Sequence, residues 1–544
     1  MTRDERRGKS DPMGPQPTMR TYHDQTRHGI ADHSLLRPFR AMDPATRPAP
    51  FKRYVGRSPA PLPVDVGHSD VPAAAVLSGA TTAAEPELDD RLLARLLHLA
   101  AGITRVSSSP SGTNWFRASM SAGNLHPVEV YVVCGDLTGV PAGVHHFAPR
   151  EFGLTPLREQ DARPSLAAAV ADPDLARVPA GLVLTGIPWR TAWKYGERGL
   201  RHLYWDAGAM LANLLAVASA AGLSARVLTA FVDHEVSHLV GVEPPEEVPL
   251  AVVALGAPRG EAGAGEGAGA GAERLPPLRL PVEPPPAQPI EFPLLVQAQA
   301  AGDLHEVGDV TKWREVAAGA PVGVDAPARI EPPAGAPDDP VETVVLRRGS
   351  TRMMRQETVP APALTWGMAA ASRHLPGDFV APGRSLVEHG LSVHAVDGVR
   401  PGAYRWRGSG LELLEPGERR DQAAHLCLDQ PLGGDSAYTA FHLTHLGPLL
   451  SSLGDRGYRS AQLESGIVAG RLTLAAFALG FGATGLTFYD DEVSSFFATT
   501  AACLLVTSVG VPAYRPTPGG GPGEPAVLRS FDRLMVRLSS RLRK

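Results

Sequence analysis

The sequence predicts an α+β protein in which two copies of one domain, each a mainly antiparallel sheet flanked by helices, pair within a single chain. Three observations carry this expectation. Helical and strand periodicities alternate in two stretches of the 544 residues, a length that supports two to four domains with cores of their own. A long segment of the first stretch recurs in the second. A Gly/Ala/Pro-rich run separates the two. The expected boundaries are an N-terminal arm over 1–85, a first domain over 86–258, a linker and bridge over 259–340, a second domain over 341–515 and a C-terminal tail helix over 516–544.

The arm is polar, Pro-rich and aperiodic, with short cohesive pieces, YHDQTRH (22–28) and PFKRYVG (50–56), that predict a segment lying over a folded body. DRLLARLLHLAAG (90–102) has apolar residues at helical spacing and ends on Gly102, whereas PVEVYVVCG (127–135) alternates and is β-rich, a strand. WDAGAMLANLLAVASAAGL (205–223) is a helix apolar on nearly all faces, and VPLAVVALG (248–256) a buried strand. Such a helix must be covered on every side. The run after Arg259 is a linker, made flexible by glycine and then stiff by proline. Its glycines from 263 to 271 occupy only odd positions, and no Gly-Lys-Ser/Thr follows, so it is no phosphate loop. Residues 294–340 form a weakly patterned bridge. The apolar stretch from Leu472 to Phe488 predicts a buried helix followed by a turn, and the final LRSFDRLMVRLSSRLRK a basic amphipathic helix packed back on the body.

The repeat aligns 194–228 with 452–486 without a gap, matching Gly196 with Gly454, Arg198 with Arg456, Gly199 with Gly457, Arg201 with Arg459 and Gly208 with Gly466. One residue is then skipped, and both copies reach an acidic turn, FVDHEV and FYDDEV, before a last buried strand. The period is one domain plus a linker, too long for a solenoid. Two copies in one chain predict an internal pseudo-dimer with the apolar helices at its interface.

A net charge of −5 gives no field that would draw the chain to nucleic acid or to an anionic membrane. Three separated cysteines, Cys134, Cys427 and Cys503, without a CxxC, fit a reducing cytoplasm and no zinc knuckle. No apolar h-region opens the sequence and no run reaches the length of a membrane helix. His234, Glu235 and His238 spell HExxH, but the third ligand position of the longer zinc motif is Pro244 and the second copy has Asp491, Glu492 and Ser495 in the same columns, so no metal is expected.

In SAGNLHPVEVYVV (121–133), WKYGERGLR (193–201), RGSTR (348–352) and GATGLTFYDDEV (482–493), the sequence resembles the FMN-dependent nitroreductase superfamily, and within it the SagB-type azoline (thiazoline/oxazoline) dehydrogenases of ribosomal peptide biosynthesis. The resemblance implies two tandem nitroreductase-like domains and a flavin site shared between them. Arg348, Ser350 and Arg352 stand where the family binds the FMN phosphate, with Gly349 departing from the family's second arginine; two guanidinium forks and a hydroxyl suit a phosphate dianion. Ser121, Ala122, Gly123 and Asn124 stand where the family's partner subunit meets the flavin ring edge, and Gly485 and Leu486 where a turn approaches flavin N5. Each copy lacks the motif that the other keeps, which predicts one intact FMN site per chain.

Lys194 and Tyr195 match the Lys-Tyr pair implicated in catalysis by the azoline dehydrogenases, while the second copy has Ser452 and Leu453. Oxidising an azoline removes a proton from one ring carbon and a hydride from its neighbour, so a base is needed: Tyr195 as phenolate if Lys194 lowers its pKa, or Lys194 itself if desolvated. Adjacent residues on a helix point about 100° apart, so both reach one substrate only from a loop or a helix end. The resemblance implies a cyclised peptide as substrate, with oxygen as the acceptor of the electrons, and a cyclodehydratase complex as a candidate partner. The alternatives are a general NAD(P)H-dependent nitroreductase or quinone reductase, and an inactive flavoprotein scaffold.

Overall fold

The computed structural model describes residues 18–29, 42–80, 85–109, 112–259, 275–283 and 291–528. The glycine run after Arg259 and most of the expected tail helix lie outside the described residues; over 516–528 the expected helix is absent, and Ala526–Val527 instead adds a short parallel strand beside Ile103–Ser109.

Two seven-stranded sheets form the two bodies. The first runs in the order Ala60–Pro61, Gly153–Arg158, Gly143–Ala148, Val128–Cys134, Ala180–Gly186, Val248–Leu255, Ala225–Leu228, with every neighbouring pair antiparallel. Its outermost strand comes from the arm, which thus covers a sheet edge that would otherwise be open. In the second sheet Met354–Arg355, Ala502–Pro512, Tyr438–Thr444, Glu388–Val393, Gly402–Trp406 and Leu411–Pro416 follow one another, and Gly482–Leu486 also pairs with Ala502–Pro512. Every position of Val128–Cys134 and of Tyr438–Thr444 is buried, as expected of central strands covered on both faces.

The predicted helix at 90–102 spans Asp90–Ala101, with the Asp89 side chain accepting from the Leu92 N–H and Gly102 at its end. The central helix of the first body begins six positions before the predicted start, at Gly199, and ends at Ala221. Its counterpart lies in Leu446–Ala478, two helical stretches joined by a non-helical kink at Gly454. Past it, part of the predicted Leu472–Phe488 segment is the strand Gly482–Leu486. Gly196 and Gly454, matched in the repeat, have the same unusual backbone, φ 57° with ψ −142° and φ 60° with ψ −162°, a region nearly restricted to glycine. Each glycine turns the chain into a central helix.

These two helices cross where the repeat-matched glycines meet. A Cβ on Gly208 would lie 2.3 Å from the Leu463 carbonyl oxygen and 2.7 Å from Cα of Gly466, and one on Gly466 2.5 Å from the Trp205 carbonyl oxygen. Only glycine permits backbones this close. The run Pro188–Ala221 is long and apolar enough to cross a membrane, but 94% of its most apolar window is buried within the molecule.

The ends of the crossing are fixed by charge. Arg198 and Arg201 of the first body bond Asp490 of the second at 3.0 and 2.7 Å; Arg456 and Arg459 of the second bond Asp233 of the first at 2.6 and 2.9 Å. All six are buried. Backbone carbonyls add to each cluster: His23, in the last turn of the arm helix Thr18–Gln25, and Thr26, just past it, serve Arg201 and Arg198, while Gln299 and Gly302, at the end of the helix Pro293–Ala301, serve Arg459 and Arg456. The expected bridge therefore contains ordered helices, Pro293–Ala301 and Val307–Gly319, the first of them doing for the second body what the arm does for the first.

Burial opposes ionisation of Asp490, but Arg198 and Arg201 outweigh it and hold its carboxyl below the usual range. Its contribution to stability is therefore complete above the unfolded value of about 4 and is lost as the pH falls below it. Asp490→Ala should remove about 3–5 kcal/mol of stability by chemical denaturation, because it leaves two buried guanidiniums unpaired. The exposed neighbour Asp491 serves as control, and its replacement by Ala should cost under about 1 kcal/mol.

Candidate functional site

The site lies where the first body's loop before Val128–Cys134 faces the second body's segment 348–352. Gly123, Asn124 and His126 in that loop have φ of 64°, 59° and 46°, three left-handed positions interrupted by Leu125 and held by side chains. The Ser121 hydroxyl donates to Asp206 at 2.5 Å and accepts from the His126 N–H at 2.9 Å; the Ala122 N–H donates to the other Asp206 oxygen at 2.9 Å. The Asn124 amide donates to the Trp115 carbonyl at 3.0 Å, and its oxygen lies 2.9 Å from the His126 ring. Ser121 and Asn124, expected at the edge of a bound ring, therefore shape the loop themselves. Gly123 carries the loop to its neighbours: a Cβ there would lie 2.9 Å from the Tyr195 hydroxyl and 3.0 Å from the Lys194 ammonium.

Lys194 and Tyr195 close the helix Pro188–Tyr195, which Gly196 terminates. This helix end is the arrangement that lets adjacent side chains converge, and the Lys194 ammonium lies 5.3 Å from the centre of the Tyr195 ring. The Tyr195 ring stacks on the buried His202 ring at 3.8 Å and 19°. Among the described residues neither the Lys194 ammonium nor the Tyr195 hydroxyl has a hydrogen-bond partner. Desolvation and then Arg352 lower the pKa of Lys194, although the residue as a whole is exposed. Burial, followed by the charge of Asp206, raises Tyr195 well above its ordinary value against the opposing effect of Arg352. Arg352 thus acts across the interface on both.

From the second body, Arg348 is buried and its guanidinium donates to the Ala118 carbonyl at 2.7 and 3.2 Å. Burial and the neighbouring Arg105 bring it down to about 9. Arg105 is also buried, and among the described residues it bonds carbonyl oxygens alone, those of Leu346, Arg348 and Thr517. Two buried guanidiniums that act on one another, with no carboxylate partner among the described residues, concentrate positive charge of the kind a phosphate dianion would neutralise. Ser350 is half-buried and Arg352 exposed, and among the described residues neither side chain has a hydrogen-bond partner. The Thr351 N–H donates to the Ala483 carbonyl at 3.0 Å, which ties this segment to Gly482–Leu486. On that strand Gly485 is exposed, with no atom closer than 3.8 Å to where its Cβ would be, and Leu486 is buried. The residues expected to hold FMN thus occupy one neighbourhood built from both bodies, with buried positive charge at Arg105 and Arg348 and open backbone at Gly485.

Asp206, His202, Arg105 and the Ala118 carbonyl were not singled out in the sequence. Asp206 had a signal, a carboxyl within an otherwise apolar helix. Arg105, in an ordinary strand, had none. The HExxH residues lie elsewhere: His234 pairs with the adjacent Glu235 at 3.2 Å, and the His238 ring lies 2.8 Å from the Leu275 carbonyl oxygen.

Residues 83–257 match the family model described as nitroreductase family. "Putative nitroreductase MJ1384" of Methanocaldococcus jannaschii is 28% identical over 167 residues, which are 30% of this chain and 79% of that protein. A crystal structure of a "putative nitroreductase" from Anabaena variabilis ATCC 29413 superposes with a TM-score of 0.70 at 24% identity, covering 92% of this chain and all of that one. A chain in the E. coli microcin synthetase McbBCD complex covers 38% of this chain and 71% of its own length, with 24% identity and a TM-score of 0.28. Residues 83–257 therefore match the nitroreductase family, and the chain as a whole has the nitroreductase-like fold.

Proposed function

We propose that this chain is an FMN-dependent oxidoreductase that converts thiazoline or oxazoline rings of a cyclised peptide to azoles. The observation that carries the reading is the placement of Lys194 and Tyr195: at a helix end, against Gly123, with no hydrogen-bond partner for ammonium or hydroxyl among the described residues, and under the field of Arg352 from the other body. Arg348, Ser350 and Arg352 would hold the FMN phosphate, with Arg105 adding charge behind Arg348, and Gly123 and Gly485 would let backbone approach the ring system. Bound there, FMN supplies the acceptor for the hydride.

The protein's own groups divide the rest of the work. With its pKa lowered, Lys194 has a greater neutral fraction near neutral pH than an ordinary lysine, and its free amine takes the proton from the azoline ring carbon as the hydride leaves the neighbouring carbon. Tyr195, held as a neutral phenol, donates a hydrogen bond to a polar atom of the substrate and orients it, with the His202 ring fixing its plane. The azoline loses one proton and one hydride, and the Lys194 ammonium returns its proton to solvent. A cyclodehydratase that forms the azoline is the natural partner for such an enzyme.

Lys194→Ala should lower azoline oxidation by about two to four orders of magnitude, the usual size of a lost general base, and Tyr195→Phe by less, with FMN content normal in both. The measurement is the loss of two hydrogens per ring by mass spectrometry. Wild-type rates in Lys194→Ala, or turnover only with NAD(P)H and a quinone, would refute the reading. The pH of half-modification of Lys194 by an amine reagent should lie below the ordinary value of about 10.4 and rise in Arg352→Gln.

A further inference from the structure

Both oxygens of Asp206 are committed to one loop, accepting from the Ser121 hydroxyl at 2.5 Å and the Ala122 N–H at 2.9 Å. Left-handed backbone is unfavourable for His126 and is tolerated at Asn124 by virtue of its short polar side chain, so the loop keeps this shape only while it is fastened. The loop carries Gly123 directly under the two groups assigned to chemistry.

The repeat supplies an internal comparison. Glu464 occupies the column of Asp206 in the second central helix, is equally buried, and accepts from the Leu386 N–H at 2.8 Å, in the loop before the strand Glu388–Val393. Burial raises both carboxyls to about 7. A helix-borne acid gripping the loop that enters a central strand is thus common to both bodies. Only in the first does that loop press against a lysine and a tyrosine; the matching columns of the second hold Ser452 and Leu453.

We propose that Asp206 is the positioning residue of the site, setting the 121–126 loop beneath Lys194 and Tyr195, while Glu464 is its structural counterpart without a functional load. The proposal rests on the reading above for its catalytic consequence and on geometry alone for its structural one.

Wild type, Asp206→Asn, Ser121→Ala and Glu464→Gln are compared as full-length protein by hydrogen exchange of the peptide containing Ala122, by FMN titration and by steady-state kinetics. Ser121→Ala removes the same hydroxyl bond from the other side and keeps the test informative if Asp206→Asn folds poorly. Exchange at Ala122 should rise roughly tenfold or more in Asp206→Asn, the scale of a lost bond to a charged acceptor, and less in Ser121→Ala. FMN affinity should fall several-fold in both and kcat should drop with KM within twofold. Glu464→Gln should keep wild-type exchange at Ala122 and wild-type affinity, loosening only Leu386. Unchanged exchange at Ala122 in Asp206→Asn, or an equal rise in Glu464→Gln, overturns the proposal. A wild type that oxidises no azoline peptide sinks the functional reading alone, because the exchange result needs neither flavin nor peptide.

Discussion

Two buried carboxylates, Asp233 and Asp490, each neutralise a pair of arginines from the opposite body, and the rest of the architecture depends on that crosswise exchange. Replacing such a cluster with apolar residues would not necessarily weaken the protein, since the desolvation of four guanidiniums and two carboxylates opposes their attraction. What it enforces is register. Neither body can satisfy its own arginines, so each is complete only when the other is present in one orientation. Gly208 and Gly466 meet at the crossing between the clusters, where no side chain could stand. The arm and the helix Pro293–Ala301 then add backbone carbonyls as further acceptors, one segment to each cluster.

That symmetric frame carries an asymmetric site. The second body contributes Arg348 and Arg352 and a strand with exposed backbone at Gly485; the first contributes Lys194, Tyr195 and the Gly123 loop. Arg348 reaches the Ala118 carbonyl and Arg352 acts on Lys194 and Tyr195, so the register fixed by the aspartates also fixes the electrostatics of the candidate chemistry. Duplicated columns that build the frame are kept in both copies, as with Gly196 and Gly454 or Asp206 and Glu464, whereas columns that face the site have diverged.

Much of this was legible in the residues. The repeat exposed the pseudo-dimer, the interface helices and the glycines, and the converging pair at 194–195 required the helix end that Gly196 provides. The crosswise pairing was not, because Arg198 and Asp490 sit in matched motifs that give no sign of which copy each will meet. The first central helix extends further towards the N-terminus than its apolar pattern, because Arg201 and His202 are polar yet buried and interrupt the pattern that marks a helix. Val307–Gly319 escaped notice because it buries only Val310, Trp313 and Ala317, too few to show a period. Ser121 and Asn124 read as ligands of a ring because their hydrogen-bond partners, Asp206 and Trp115, become neighbours only in three dimensions.

The central claim is that two unequal halves assemble one flavin site and no second. Its most direct measurement is the amount of FMN released on denaturing the purified full-length protein, quantified against the protein by absorbance. The account predicts one FMN per chain. A value near two would mean that the reciprocal interface, without the counterparts of Arg348, Arg352, Lys194 and Tyr195, binds flavin as well, and would contradict the division of labour between the halves.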